Sequence, residues 1–204
     1  MQYHISICGA SGTGKSSIIE GLKVLHRNNP NVVFVDRKSS RSILAEWNVT
    51  LEDVNSNHML TCKFQEEMIK RKFNDDFIDV SEHKNCVIIT ERCFVDLFVY
   101  CIAILSSQNK YNDWINNYFE SCAEYNSNYN EIFYLPSNKF GITHDGVRPT
   151  NVHFNNMIDA TMKVYMPLMQ TQCLNIIEET ELFDRIHIVN ESVMTALENI
   201  RKSS

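Results

Sequence analysis

The sequence predicts an α/β domain, a three-layer αβα sandwich in which helices cover both faces of a mostly parallel, five-stranded sheet. Three observations carry this. Short apolar runs rich in β-branched and aromatic residues recur along the chain, the pattern of strands buried on both faces. Longer stretches with helical spacing separate them, so strand and helix alternate as a parallel sheet requires. The 204 residues, 44% of them hydrophobic, suffice for one well-buried domain, and no repeat or shift in composition marks a second.

In chain order, strands are expected at residues 3–8, 32–35, 86–90 and 132–135, with a fifth at 186–189. The first helix should begin at Ser16 and end before Pro30, with Ile18, Ile19, Leu22 and Leu25 facing inward. A second helical stretch covers 51–80, entered through Thr50 and Asp53 as capping residues, with Leu60, Phe64, Met68, Phe73 and Phe77 as core positions. A third follows Glu91. Its residues 94–105 are almost wholly apolar, so it is either central or pairs with another subunit, which keeps a homodimer among the expected partners. Residues 136–149 hold Gly141 and Gly146 between Pro136 and Pro149 and read as a loop. Helical spacing returns over 152–179, with a kink expected at Pro167, and the Asn-rich 126–130 reads as turn and surface.

Charge and cysteine usage narrow the function classes. A net charge of −6 argues against a sequence-independent grip on nucleic acid or on an anionic membrane, since both need a basic face. The seven cysteines form no CxxC pair and no metal-ligand spacing, and read as reduced core thiols of a cytoplasmic protein. No targeting segment and no run of 18 apolar residues is expected to take the chain out of solution.

The chemistry is concentrated after the first strand. Three of only six glycines fall in Gly9, Ala10, Ser11, Gly12, Thr13, Gly14, Lys15 and Ser16, followed by Ser17. Glycine admits positive φ and lets successive backbone N–H groups turn inward around an anion, and the helix that follows adds its positive end to the same concavity. Lys15 can then reach the β- and γ-phosphates of a nucleoside triphosphate and the Ser16 hydroxyl can ligate magnesium, so ATP and Mg2+ are the expected cofactors.

Open α/β sheets bind ligands at the carboxyl ends of their strands, and two further ends carry an acid beside an arginine. Asp36 and Arg37 close the second strand, with Arg41 about a turn later, and Glu91 and Arg92 close the third. Phosphoryl transfer needs in-line positioning and neutralised charge, so Glu91 and Asp36 share the roles of magnesium ligand and acceptor base, and the arginines clamp oxygens.

On these residues the chain resembles the P-loop kinases of nucleosides and nucleotides, a superfamily that takes in deoxynucleoside kinases, thymidylate kinases and ribosylnicotinamide kinase-like AAA ATPases. Glu91-Arg92-Cys93 with Asp96 is similar to the ERS motif and nearby Asp of deoxynucleoside kinases, with Cys93 in place of Ser. Phe64-Gln65 resembles their base-reading Phe-Gln pair, whereas Asp36-Arg37-Lys38 departs from the Glu-Pro and Arg-Glu-Pro patterns at the second strand. His144, Asp145, Gly146, Val147, Arg148 and Pro149 resemble the lid of the ribosylnicotinamide kinase-like group, in which an arginine folds over the triphosphate; Lys139 is a weaker partner, and His144 and His153 are assigned loop and cap roles.

The resemblance implies a P-loop kinase-type sandwich with a lid at about 136–150. It implies catalytic roles for Lys15, Asp36, Glu91, Arg92 and Arg148, acceptor contacts from Arg37, Arg41, Gln65 and Arg92, and magnesium held by Ser16, Asp36 and Glu91. The expected activity is transfer of the ATP γ-phosphoryl group to a nucleoside monophosphate or nucleoside, the arginines tilting toward a monophosphate. The alternatives are a ribosylnicotinamide-type or nucleic-acid kinase, and a nucleotide-gated module that captures a protein or lipid partner.

Overall fold

The computed structural model describes residues 1–35, 40–137, 151–169 and 173–203. Five strands, β1 (Gln2–Gly9), β2 (Val32–Phe34), β3 (Cys86–Glu91), β4 (Glu131–Leu135) and β5 (Leu174–Ile176), pair in the order β2-β3-β1-β4-β5. Every pairing is parallel. The helices are α1 (Lys15–His26), α2 (Ser40–Trp47), α3 (Leu51–Ser56), α4 (His58–Phe73), α5 (Phe94–Leu105), α6 (Asn112–Asn126), α7 (Val152–Leu168) and α8 (Leu182–Ser203). None is long and apolar enough to cross a membrane among the described residues.

The twofold alternation of strand side chains sorts the core into two layers. Ile5 and Ile7 of β1, Val87 and Ile89 of β3, and Phe133 and Leu135 of β4 pack against Ile18 and Leu22 of α1 and Val189, Val193 and Leu197 of α8. On the other face, Cys8, Ile132 and Tyr134 meet α4, α5, α6 and α7. Helix α5 is central, with Phe94, Val95, Leu97, Phe98, Val99, Cys101, Ile102 and Leu105 all buried, so the interior accounts for its apolar sequence. Each such side chain contributes about 1.5–3 kcal/mol of hydrophobic free energy. All seven cysteines are free, and only Cys173 is exposed.

Several expectations are corrected. Residues 186–189 are not a strand but part of α8, where buried Arg185, Val189, Val193, Ala196, Leu197 and Ile200 repeat at helical spacing; a four-residue apolar run does not by itself distinguish the two periods. The fifth strand is β5, inside the stretch read as helix to 179. Helix α7 instead stops at Leu168, with Pro167 inside its final turn. Leu25 is exposed, and His26 is buried in its place. The stretch from residue 51 is not one helix. Thr50 and Asp53 form the expected capping box, but Asn57 leaves helical geometry and caps α4 anew. Asn126 and Tyr129, read as surface, are buried.

Beneath β3 lies a charge network that the sequence did not announce. A π-helical segment, Asn74–Ile78, continues α4 and buries Asp75 and Asp76 in succession. Lys72 Nζ lies 2.7 Å from Asp76 Oδ2, with both side chains fully buried. Asp76 also accepts from Thr90 Oγ1 at 2.9 Å and from the Tyr129 hydroxyl. Thr90 immediately precedes Glu91, so this network braces the strand that carries the acid. Removing one partner of a buried pair strands the other charge, at about 3–5 kcal/mol. Asp76→Ala is therefore expected to lose about that much in urea denaturation; a loss below about 1 kcal/mol would show that the network does not hold the strand.

Candidate active site

The first strand ends in a loop that closes directly onto the helix. Gly9 (φ 144°), Gly12 (φ 82°) and Gly14 (φ 91°) all have positive φ. At Gly9 a side chain is excluded as well, because a Cβ would lie 2.6 Å from the Leu135 carbonyl oxygen. Gly14 caps α1 in the left-handed conformation and Lys15 is its first residue, so the loop and the positive end of the helix converge. Lys15 is buried, and its Nζ donates to the carbonyls of Gly9 at 2.9 Å and Ala10 at 2.7 Å. Thr13 Oγ1 donates to Ala10 O at 3.1 Å, closing the loop on itself.

Parallel pairing brings β3 alongside. Ile7 lies opposite Glu91 in register, which puts the Glu91 carboxylate within reach of the loop. Ser16 Oγ donates to it, 3.1 Å from Oε2 and 3.3 Å from Oε1. This hydroxyl and carboxylate are hard oxygen donors, and adjacent corners of an octahedron with ligands at about 2.0–2.1 Å lie roughly 3 Å apart, so the pair suits magnesium.

Arg92 turns the chain out of the strand with φ 70°, an uncommon conformation for a residue with a side chain that costs of order 1–3 kcal/mol. Four contacts hold it there. Its N–H donates to Ile7 O at 2.7 Å, its carbonyl accepts from Ser6 Oγ at 2.7 Å, and its guanidinium lies 3.2 Å from Asp96 Oδ1 and 5.4 Å from the Tyr100 ring centroid. Asp96 is fully buried and also accepts from the Cys93 N–H at 3.0 Å and its thiol at 3.4 Å. Cys93 thus caps the start of α5. Cys8, Cys93 and Asp96 lie within 4.8 Å of one another at their ligand atoms, but the Asp96 oxygens are already engaged by Arg92 and Cys93.

Lys15, Ser16, Glu91 and Arg92 are therefore brought together. Gln65 is buried on α4, where its Oε1 accepts from the Tyr118 hydroxyl of α6 at 3.2 Å. Arg41 is exposed in the first turn of α2, and no contact among the described residues ties it to Glu91 or Arg92. Asp36, Arg37 and the lid residues Lys139, His144 and Arg148 lie outside the described residues. Sequence reasoning missed Arg185, on the first turn of α8, whose Nη1 donates to Thr13 O at 3.2 Å. No local signal marks a residue so far along the chain.

Burial first, and the Arg92 charge second, lower Lys15 to about 8, against the opposite pull of Asp96 and Glu91. A triphosphate favours the charged ammonium and raises that value, so binding should take up protons near pH 8 and weaken as pH rises from 7.5 to 9. Calorimetry of an ATP analogue in buffers of different ionisation enthalpy checks this. Lys15→Met should abolish the uptake, and an uptake unchanged in that variant would assign the proton elsewhere.

A family model described as AAA domain matches residues 4–180. No curated protein matches in sequence. Among solved structures, the NadR protein in complex with NR is similar with a TM-score of 0.64 at 13% identity, covering 94% of this chain and 52% of that one; the chain spans about half the length of that protein. A deoxyadenosine kinase from M.mycoides with bound dATP is similar with a TM-score of 0.62 at 14% identity, covering 93% of this chain and 98% of that one. The structure of that kinase with products dCMP and a flexible dCDP has a TM-score of 0.61 at 14% identity, covering 94% and 98%. The chain belongs to the AAA domain family, and its all-parallel sandwich has the fold of the P-loop nucleoside kinases.

Proposed function

We propose that the chain is a magnesium-dependent phosphotransferase that moves the γ-phosphoryl group of ATP to a nucleoside or nucleoside monophosphate in the cytoplasm. The observation that carries this is the contact of Ser16 with Glu91, with buried Lys15 on one side and the strained Arg92 next in the chain. The likeness of fold to a deoxyadenosine kinase over nearly the whole of both chains supports it. The likeness to NadR with NR keeps a ribosylated nicotinamide among the acceptors to be tried.

In this reading the loop N–H groups and the end of α1 hold the β- and γ-phosphates, and Lys15 leaves the Gly9 and Ala10 carbonyls to join them. Magnesium, when bound, neutralises charge on the phosphate oxygens, and Ser16 and Glu91, with Asp36, would hold it. Arg92, fixed by Asp96 and Tyr100, presents a guanidinium to the acceptor side without ordering cost at the moment of transfer. Asp36 or Glu91 accepts the acceptor proton, Arg37 and Arg41 contact an acceptor phosphate, and Arg148 closes over the transferring group from the lid. On Gln65, Tyr118 occupies the amide oxygen, so the amide nitrogen remains to donate to an acceptor base.

A thermal-shift screen of nucleosides, monophosphates and nicotinamide riboside, with an ATP analogue and magnesium present, identifies the acceptor, because a ligand of the native state raises the melting temperature. No shift from any of them, with the analogue bound, would remove the acceptor half of the reading. With the acceptor in hand, Lys15→Met should lower kcat by roughly 10²–10³-fold, as for one lost electrostatic contact to the transition state. Glu91→Gln should lower magnesium-dependent turnover with little change in melting temperature. Full activity in either variant would show that the site lies elsewhere.

A further inference from the structure

The rear of the phosphate loop rests on the last helix. Arg185 is buried at the start of α8 and spreads its guanidinium over three backbone carbonyls: Nη1 to Thr13 at 3.2 Å, Nη2 to Thr180 at 3.0 Å and Nε to Glu181 at 3.4 Å. Two glycines make room for the helix. A Cβ on Gly14 would come 2.8 Å from Arg185 Nη1, and a Cβ on Gly21 would come 2.3 Å from Ile186 Cδ1. Gly14 and Gly21 are seven residues apart, about two turns, so they open one side of α1 to consecutive residues of α8.

The Thr13 contact bears on the concave side of the loop. A trans peptide is planar, with its C=O and N–H pointing in opposite directions, and no cis bond occurs among the described residues. Holding the Thr13 carbonyl on the α8 side therefore turns the Gly14 N–H away from α8. We infer that Arg185 is a positioning residue of the phosphate loop: by anchoring the Thr13 carbonyl it keeps the Gly14 N–H aimed at a bound phosphate and prevents the peptide from presenting its carbonyl there instead. The inference rests on the nucleotide-binding reading of the loop and adds to it a residue more than 170 positions away in sequence. The arrangement has an electrostatic side as well. Arg185 stands at the positive end of α1, so its charge adds to that of the helix end until an anion enters.

The test uses the full chain and magnesium with a non-hydrolysable ATP analogue, measured by calorimetry at 0.15 M salt, beside the melting temperature without nucleotide. Arg185→Gln should weaken binding at least tenfold. Arg185→Lys, which keeps the charge but not the planar fork, should recover less than half of that loss on a logarithmic scale. Ile186→Ala loosens the same helix against Gly21 without touching the loop; it should lower the melting temperature at least as much as Arg185→Gln and keep affinity within twofold. The inference is overturned if Arg185→Gln binds within twofold of wild type, if Arg185→Lys restores affinity fully, so that charge alone matters, or if Ile186→Ala weakens binding as much as Arg185→Gln. A wild-type protein that does not bind the analogue would instead remove the nucleotide reading, and the inference with it.

Discussion

The pairing of β1 with β3 is the constraint on which the rest of the site depends. Its register sets Ile7 opposite Glu91, and from that follow the reach of Glu91 to Ser16 and the hydrogen bond from the Arg92 N–H back to Ile7. A slip of one residue would send Glu91 to the opposite face of the sheet, because strand side chains alternate. The register is correspondingly well fixed. Val87 and Ile89 face the α1–α8 layer, whereas Ile88 faces away from it, and the Lys72–Asp76–Thr90 network ties the strand from that side.

Strain at Arg92 is supported by the same pairing. A left-handed arginine is costly, yet its N–H, carbonyl and guanidinium are each engaged by a different element: β1 through Ile7 and Ser6, and α5 through Asp96 and Tyr100. Such over-determination is what keeps an unfavourable backbone conformation in place. The consequence is a turn that leaves β3 sharply enough for α5 to start at once with Cys93 as its cap, while the arginine stays beside Glu91.

What was legible in the sequence is what local pattern encodes. The strands β1, β3 and β4, the phosphate loop, the apolar α5 and the capping pair Thr50 and Asp53 each announce themselves within a few residues. Strand β5 did not, because its three residues are largely exposed, while residues 186–189 mimic a strand within a helix whose period shows only over its full length. The burial of Lys72 and Asp76 has no local signal, since nothing nearby in sequence shows that Thr90 and Tyr129 will enclose them. At the site, Lys15, Ser16, Glu91 and Arg92 were legible as a set because motif and strand ends coincide. Tyr118 behind Gln65 and Arg185 behind Thr13 were not, since long-range packing alone brings them there.

The side chains of Lys15, Ser16 and Arg92 already have partners within the chain. Lys15 donates to Gly9 and Ala10, Ser16 to Glu91, and Arg92 pairs with Asp96. Binding is therefore an exchange of hydrogen bonds, whose net free energy is the small difference between those made and those given up. Lys15 gains only from an anion that reaches past the loop, and Ser16 and Glu91 part without loss only if a cation takes the place of their shared proton. On the proposed function, a triphosphate carrying magnesium would meet both conditions at once, whereas a monophosphate or a free metal ion would meet one. The discrimination thus lies in the pairings that must be replaced together, and a loop already held in shape by α8 lets the replacements occur without refolding it.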